Sequence, residues 1–537
     1  VHLSRNILQP KSERMDAHYN LALDLKKKGR IDEAIATFKE LLRLNDENPD
    51  LHYDLANAYT SKGQWPEAIR HYSQAVAIDP GNAHAFNNLG VALKNSGDTT
   101  AAIAMFQKAI ALNADIAEYY NNLGNALQMQ GLMKDAIGHF KQAVRLRPDF
   151  AEAHYNLGFL LQNKNDLQTA IQHYKSALLS KPGFFEAHNN LAVTSHCLGQ
   201  YEIARAHYDA AVCIQPQNHD TRWNRAMLLL SNGEFEEGWR EFEHRLTQSG
   251  WATNYPFKHA KPRWEGLPLN GKRLLIHDEQ GFGDTIQFAR FLPLLKAYDG
   301  RILFETRQAL VSLLCEFPGI DEIVVRTAAQ RPEAAYDLYT PLLSLPMLLK
   351  TTVRNIPSPQ GYLQADTEKA EKWREELKGI GLKVGIVWAG NPAHKNNQNR
   401  SCALAHIKTL LDLEGVTFFS LQKDVAPLDW QTEISPYAMT DCGGKIGDFS
   451  DTAAIIHNLD LTISVDTATA HLAGAMGKPA WVLLPNVSDW RWMRNRSDSP
   501  WYRSMRLFRQ KRPGDWESVF IEIKNELRKE QCQKKTW

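Results

Sequence analysis

"LDLTISVDTATAHLAGAMGKPAWVLLP", residues 459–485, reads as a strand, a helix and a second strand in direct succession. The apolar run LTISV ends at Val465, and Asp466 and Thr467 are residue types that cap a helix start. Ala470, His471, Leu472, Gly474 and Met476 continue the helix, Gly477 stops it, and the next strand begins after Pro479. A strand, crossover helix and strand of this kind makes the two strands parallel. The helix start then lies at the carboxyl edge of a sheet, where exposed N–H groups and the positive end of the helix dipole favour an anion such as a nucleotide diphosphate. An ordinary capped crossover helix is the alternative reading of the same residues.

Outward from this unit the alternation recurs. KVGIVWAG at 383 and VTFFSLQ at 416 precede it, and RLLIHD at 273, RILFET at 301, DEIVVR at 321 and AYDLYT at 335 form an earlier series. The turn-rich IPSPQGYL near 356 and the helix TEKAEKWREELKGI separate the two series. Two α/β lobes follow, 271–375 and 376–537, the second closed by the helix WESVFIEIKNELRKE. Two such lobes facing one another across a cleft suit the GT-B architecture.

RLLIHD runs into "EQGFGDTIQFARFLP", residues 279–293. A dinucleotide fingerprint needs a third glycine where the helix packs on its strand, and Thr285, Ile286, Gln287 and Phe288 stand there instead. A Walker loop needs a Gly-Lys-Ser/Thr ending, and no lysine occurs before Lys296. What remains is a flexible Gly-Phe-Gly turn that delivers one carboxylate, Asp284, to a helix start. Asp284 is the candidate general base, and capping its own helix is the competing role. His277, Glu279 and Gly283, beside the turn, are candidate contacts to an acceptor or sugar.

The first 250 residues belong to another class. Gly29, Gly63, Gly97, Gly131, Asn165, Gly199 and Gly233 recur every thirty-four residues, a helix-turn-helix repeat length. Five residues after each comes a small one (Ala34, Ala68, Ala102, Ala136, Ala170, Ala204, Gly238), and four further on a ring (Phe38, Tyr72, Phe106, Phe140, Tyr174, Tyr208, Phe242). A leucine column, Leu21, Leu55, Leu89, Leu123, Leu157 and Leu191, ends at Arg225. These columns resemble the tetratricopeptide repeat, which implies an α-solenoid whose units bury their apolar faces on one another and leave a groove. Asn20, Asp54, Asn88, Asn122, Asn156, Asn190 and Asn224 share one position in that groove. An amide both donates and accepts, so such a ladder can hold an extended peptide backbone without reading its sequence. It resembles the asparagine ladder of the O-linked N-acetylglucosamine transferase; an intra-repeat structural role is the alternative. The Pro-, Gly- and Trp-rich residues 251–270 read as a linker.

Composition narrows the chemistry. With 62 basic and 61 acidic residues in 537, no global field attracts nucleic acid or an anionic membrane. Cys197, Cys213, Cys315, Cys402, Cys442 and Cys532 lack the spacing of a zinc site or disulfide framework, so they read as reduced. The opening VHLSRNILQPKSERMD holds no apolar core of signal-peptide length, and no window approaches a membrane span, which places the chain in the cytoplasm. No metal ligand set is evident near the cleft.

GFGD with Pro293 nine residues after the acid, then VGIVWAGNP, then SVDTATAHLAGAMGKP, follow the order seen in the bacterial heptosyltransferase family of inverting GT-B enzymes. The resemblance covers about residues 270–530. With the repeats, the chain resembles bacterial tetratricopeptide-type protein glycosyltransferases, such as those that modify flagellin. The resemblance implies a metal-independent transferase taking a sugar from a nucleotide-sugar co-substrate to a protein hydroxyl. It assigns Asp284 as base, and Asp466, Thr467, Ala468, Thr469 and His471 as the donor turn. A basic residue after the WAGNP strand would neutralise the donor phosphate, Arg400 first and Lys395 second. An interaction scaffold with an inactive transferase-like region, and a lipopolysaccharide glycosyltransferase, are the alternatives.

Overall fold

The computed structural model describes residues 2–247, 259–327, 332, 334–358, 360–394, 396–423 and 439–534, with side chains from 14 to 532. Packing divides the chain into two compact units, Val1–Ser195 and His196–Trp537.

The first unit is helical throughout, from His2–Lys27 and Ile31–Leu44 to Ala151–Asn163 and Leu167–Ser180. Its turns fall on the thirty-four-residue clock because the chain reverses there through positive φ: Gly29 at 78°, Gly63 at 68°, Gly97 at 100°, Gly131 at 79° and Asn165 at 63°. The small column allows the two helices of a unit to touch. Ala34, Ala68, Ala102, Ala136 and Ala170 have no exposed surface, and the rings of the next column are buried beside them. A Cβ at Gly90 or Gly124 would lie 2.7 or 2.6 Å from the ring of Phe106 or Phe140, so the ring occupies the place of a side chain. Asn48, Asn82, Asp98 and Asp166 cap helix starts through their side chains. Leu21 departs from its column: it is 48% exposed where Leu55 is fully buried, since no helix among the described residues precedes its own.

One further column was not anticipated. In three helix pairs a residue of the first helix meets one nineteen positions later, His52–His71, Tyr120–His139 and His154–His173, and at the same spacing Phe86 and Met105 share one apolar cluster. In both histidine pairs the two Nδ1 atoms lie 3.0 Å apart. His52 Nε2 is 3.0 Å from the Asp46 carbonyl and His154 Nε2 is 2.9 Å from that of Pro148. A carbonyl only accepts, so Nε2 carries the proton, Nδ1 of His52 and His154 accepts, and Nδ1–H of His71 and His173 donates. Burial, reinforced by Arg70, His52 and Lys39, lowers His71 to about 4. Burial, with His154 and Lys141 acting the same way against Asp166, lowers His173 to about 4.

The second unit joins the helices Tyr201–Ile214, His219–Ser231 and Phe235–Phe242 to two parallel sheets. The first sheet has the order β3-β2-β1-β4, with β1 Arg273–His277, β2 Arg301–Thr306, β3 Glu322–Val325 and β4 Leu338–Pro341. The second has the order β10-β9-β8-β5-β6-β7, with β5 Leu382–Val387, β6 Val416–Ser420, β7 Met439–Asp441, β8 Leu461–Val465, β9 Ala480–Leu484 and β10 Met505–Arg509. All their pairings are parallel, as continuous apolar strands separated by helices require. β7 and β10 had no sequence signal: one is three residues long, and the other lies in an arginine-rich stretch.

The last repeat is built into this unit. Trp239 meets Trp490 edge-to-face at 5.3 Å, lies 6.2 Å from Phe288, and donates its Nε1–H to the Thr351 carbonyl at 3.1 Å. Residues 259–270, expected to be linker, also pack: Trp264 and Leu269 are buried and Arg263 bridges to Tyr339 beside β4. Their apolar side chains gain more from the sheet's edge than their turn-forming neighbours gain from solvent. The rest of the expected linker, 251–258, lies outside the described residues.

Candidate functional site

The two sheets meet where a glycine allows it. The helix Phe282–Phe288, which follows β1, packs on Ala468–Ala475, which follows β8. A Cβ on Gly283 would stand 2.8 Å from Cδ2 of His471 and 3.4 Å from Cα of Ala468. Gly283→Ala is therefore expected to cost about 1–3 kcal/mol of unfolding free energy by overpacking, read by urea unfolding followed through tryptophan fluorescence. A loss below about 0.5 kcal/mol would show that the helices part easily. The close approach brings Asp284 beside the helix start at Ala468.

Asp284 is engaged on both oxygens. Oδ2 accepts the Gly281 N–H at 2.8 Å at the start of its own helix, and Oδ1 accepts from Nη2 of Arg491. Arg491, 9% exposed in its side chain, also donates through Nε to Gln287 at 2.7 Å and through Nη1 to Asp489 at 2.8 Å. Its guanidinium lies 4.4 Å from the Trp490 ring centre. Burial opposes the charge on Arg491, but Asp284 and Asp489 outweigh it and hold the guanidinium protonated. Sequence reasoning missed Arg491 and Asp489, because nothing local links position 491 to 284.

The donor-turn residues converge at the same place. Thr467 occupies the N-cap position, yet its hydroxyl pairs with Ser464 Oγ at 2.9 Å and makes no cap hydrogen bond. This corrects the expectation that Asp466 and Thr467 cap the helix, and leaves its first N–H groups without a side-chain partner among the described residues. Ala468 and Thr469 are half-buried. Burial, with Asp489 nearby, pushes the Asp466 carboxyl up to about 6 against the pull of Arg491 and Arg400. His471 is buried, stacks on Trp492 at 5.1 Å and lies with Nδ1 3.0 Å from the Tyr502 hydroxyl. Burial, then Arg491 and Arg290, holds His471 well below the ordinary histidine range, so the ring is neutral. Arg400 donates from Nη1 to the Asp466 carbonyl at 3.2 Å and packs over Gly390, where a Cβ would lie 2.5 Å from Nη2. Its Nε is buried with no partner among the described residues. Lys395 lies outside the described residues.

His277 and Glu279 stand apart from this cluster. Glu279 is fully buried and accepts from Arg245 at 2.7 and 3.0 Å and from the Leu343 N–H at 3.1 Å. His277, 1% exposed, stacks on His259 at 5.3 Å. Both point into the protein body, so neither reaches an acceptor from this arrangement: the apolar strand β1 carries them under the last repeat and the segment at 259.

The ladder residues bond between repeats. Asn122 Nδ2 donates to Asn87 at 2.9 Å and Asn156 to Asn121 at 3.0 Å, while Asn88 and Asn190 donate to the hydroxyls of Tyr53 and Tyr155 at 3.0 and 3.2 Å. Asp54, in the odd position, accepts from Tyr19. Asn20 is exposed, and Asn88, Asn122, Asn156, Asn190 and Asn224 are half-buried. The inter-repeat donor of each bonded amide is thus in use.

Comparisons with known proteins follow the division of the fold. A model described as TPR repeat matches residues 56–97, and models described as tetratricopeptide repeat match 25–70, 81–149 and 139–172. The chain is 29% identical over 331 residues to Protein FlbA of Caulobacter vibrioides, a match covering 57% of this chain and 54% of FlbA. The chain thus spans about half the length of that curated relative. A crystal structure of MamA is 26% identical, with 31% of this chain and 97% of that one covered and a TM-score of 0.29. YrrB, described as a TPR protein with an unusual peptide-binding site, is 25% identical over 34% of this chain and 95% of its own, with a TM-score of 0.30. Among the described residues no helix is long and apolar enough to cross a membrane. Residues 25–172 carry tetratricopeptide repeats.

Proposed function

We propose that the chain is an inverting, metal-independent glycosyltransferase of GT-B type that moves a sugar from a nucleotide sugar to Ser/Thr hydroxyls of a protein. The tetratricopeptide repeats hold that protein, for which flagellin is the candidate the sequence resemblance names. One observation carries the reading: Gly283 lets the Asp284 helix press against the helix start at Ala468, whose N-cap residue makes no side-chain cap hydrogen bond. Transfer needs a base for the acceptor proton and positive charge for the leaving diphosphate. Asp284 supplies the first; the amides after Thr467, with Arg400, supply the second. Neutral His471 packs the helix start in place. With one donor spent on the preceding repeat, the ladder amides offer their remaining hydrogen-bonding capacity to a peptide backbone.

A scaffold reading has its own support, because both oxygens of Asp284 already have partners. The experiment is a thermal-shift screen of nucleotide sugars followed by transfer assays on a protein acceptor. An active enzyme is stabilised by at least one nucleotide sugar, and Asp284→Asn slows its transfer by about a hundredfold or more. Failure of every nucleotide sugar to raise the melting temperature selects the scaffold. Unimpaired transfer by Asp284→Asn removes Asp284 from the mechanism.

A further inference from the structure

Arg491 sits among three carboxylates, Asp284, Asp489 and Asp466. Its fork is divided among Asp284, Asp489 and Gln287, and its charge also acts on Asp466 and His471, which flank the helix start. The loop that carries it is anchored: Asp489 accepts the Arg491 N–H at 3.0 Å, while Arg494 donates to Asn232 at 2.8 Å and lies 3.8 Å from the Tyr201 ring centre. The guanidinium therefore has a fixed base and a choice of partners at its tip. A diphosphate at Ala468 would enter a space bordered by Asp284, Asp466 and Asp489, with Arg400 and Arg491 as the cations at hand. Arg400 already spends Nη1 on the Asp466 carbonyl.

We infer that the Asp284 carboxylate and a nucleoside diphosphate compete for Arg491, so that binding the diphosphate releases Asp284 to accept a proton. The inference rests on the donor reading given above and adds a positioning residue to it. Before the diphosphate binds, Arg491 keeps Oδ1 of Asp284 occupied. Once its Nη2 turns to a phosphate oxygen, Oδ1 of Asp284 regains a lone pair facing the cleft, while Gly281 N–H still fixes Oδ2. The base becomes available only when the leaving group is in place. That order disfavours abstraction of a proton with no donor to receive the nucleophile.

Competition has a sign that simple scaffolding lacks. Asp284→Asn removes both the rival for Arg491 and a negative charge beside the phosphates, so it should tighten binding of UDP, GDP or CDP by about tenfold. Arg491→Gln should weaken binding by a similar factor, and in that background Asp284→Asn should change affinity by less than about threefold. Calorimetry on the full chain, with circular dichroism verifying the fold of each variant, reads all four proteins. If Arg491→Gln does not fold, Arg491→Lys replaces it: a lysine lacks the bidentate fork, so the gain from Asp284→Asn should shrink there too. Should the wild-type chain bind none of the nucleotides, the donor reading itself falls. Should it bind them while Asp284→Asn leaves affinity unchanged or weakens it, the competition alone is overturned. An equal gain in the presence and absence of Arg491 also overturns it, because that is charge repulsion without sharing.

Discussion

Arg245→Met is expected to lower the unfolding free energy of the second unit by about 3–5 kcal/mol, among the largest effects of any single change in this chain. Arg245 is 2% exposed and donates to Glu279 at 2.7 and 3.0 Å, to Glu243 at 2.7 Å and to Ser344 at 2.9 Å. Burial already pushes the Glu279 carboxyl up against the pull of Arg245. Without the guanidinium, Glu279 must either stay charged in a dry site or take up a proton, and both are costly. Glu243 retains Arg263 and is less affected. The double variant Arg245→Met with Glu279→Leu removes both charges and should recover most of the loss. Denaturant unfolding followed by tryptophan fluorescence reads this unit, whose core holds Trp239, Trp264, Trp490, Trp492 and Trp501. A single-variant loss below about 1 kcal/mol would show that the buried network tolerates an unpaired acid. The pair ties Glu279, just after β1, to the 3-10 turn Glu243–Thr247 that ends the last repeat, so the same measurement tests whether repeat and sheet unfold together.

Acidification is expected to destabilise the first unit. His71 and His173 are held neutral at about 4 in the fold, against about 6.5 when unfolded. The fold thus binds fewer protons than the open chain, so its stability is complete above about 6.5 and falls as pH drops from there toward about 4. Each site accounts for at most about 3 kcal/mol, reduced by solvent screening, once pH is below about 4, where the loss levels off. The chief cause is burial, which penalises the charged form of both rings. The repeats contain their own remedy: the equivalent pair in the third unit is Phe86 and Met105. Replacing His52 and His154 by Phe, and His71 and His173 by Met, should flatten the decline between pH 6.5 and 4 in thermal melts followed by circular dichroism. An acid decline of the same depth in both proteins would move its origin elsewhere.

Local turn and strand signals are legible in the sequence, whereas the buried Arg245 network is not. The clock of Gly29 to Gly233 fixes the turn positions because a left-handed turn residue is a local requirement, and the structure places each at positive φ. The strand, helix, strand reading of 459–485 holds to the residue at Val465 and Gly477 for the same reason: apolar runs, helix starts and glycine stops act over a few positions. The end of the linker nearest β1 was misjudged because Pro and Gly mark turns whether or not Trp264 and Leu269 are buried beside them. Thr467 shows the limit of residue-type reasoning about caps, since Ser464 captures the hydroxyl expected to cap its helix.

From the order of residues alone came the repeat, the parallel strands and the single carboxylate after the Gly-Phe-Gly turn, all announced by local patterns of residue type. Tertiary structure decided the partners. Arg491 meets Asp284 across 207 residues, Arg245 meets Glu279 across a change of fold class, and Gly283 brings two helices together by lacking a side chain. Charge pairing and close packing depend on distance in space, and a linear chain carries no local mark of which distant residue will fill the gap.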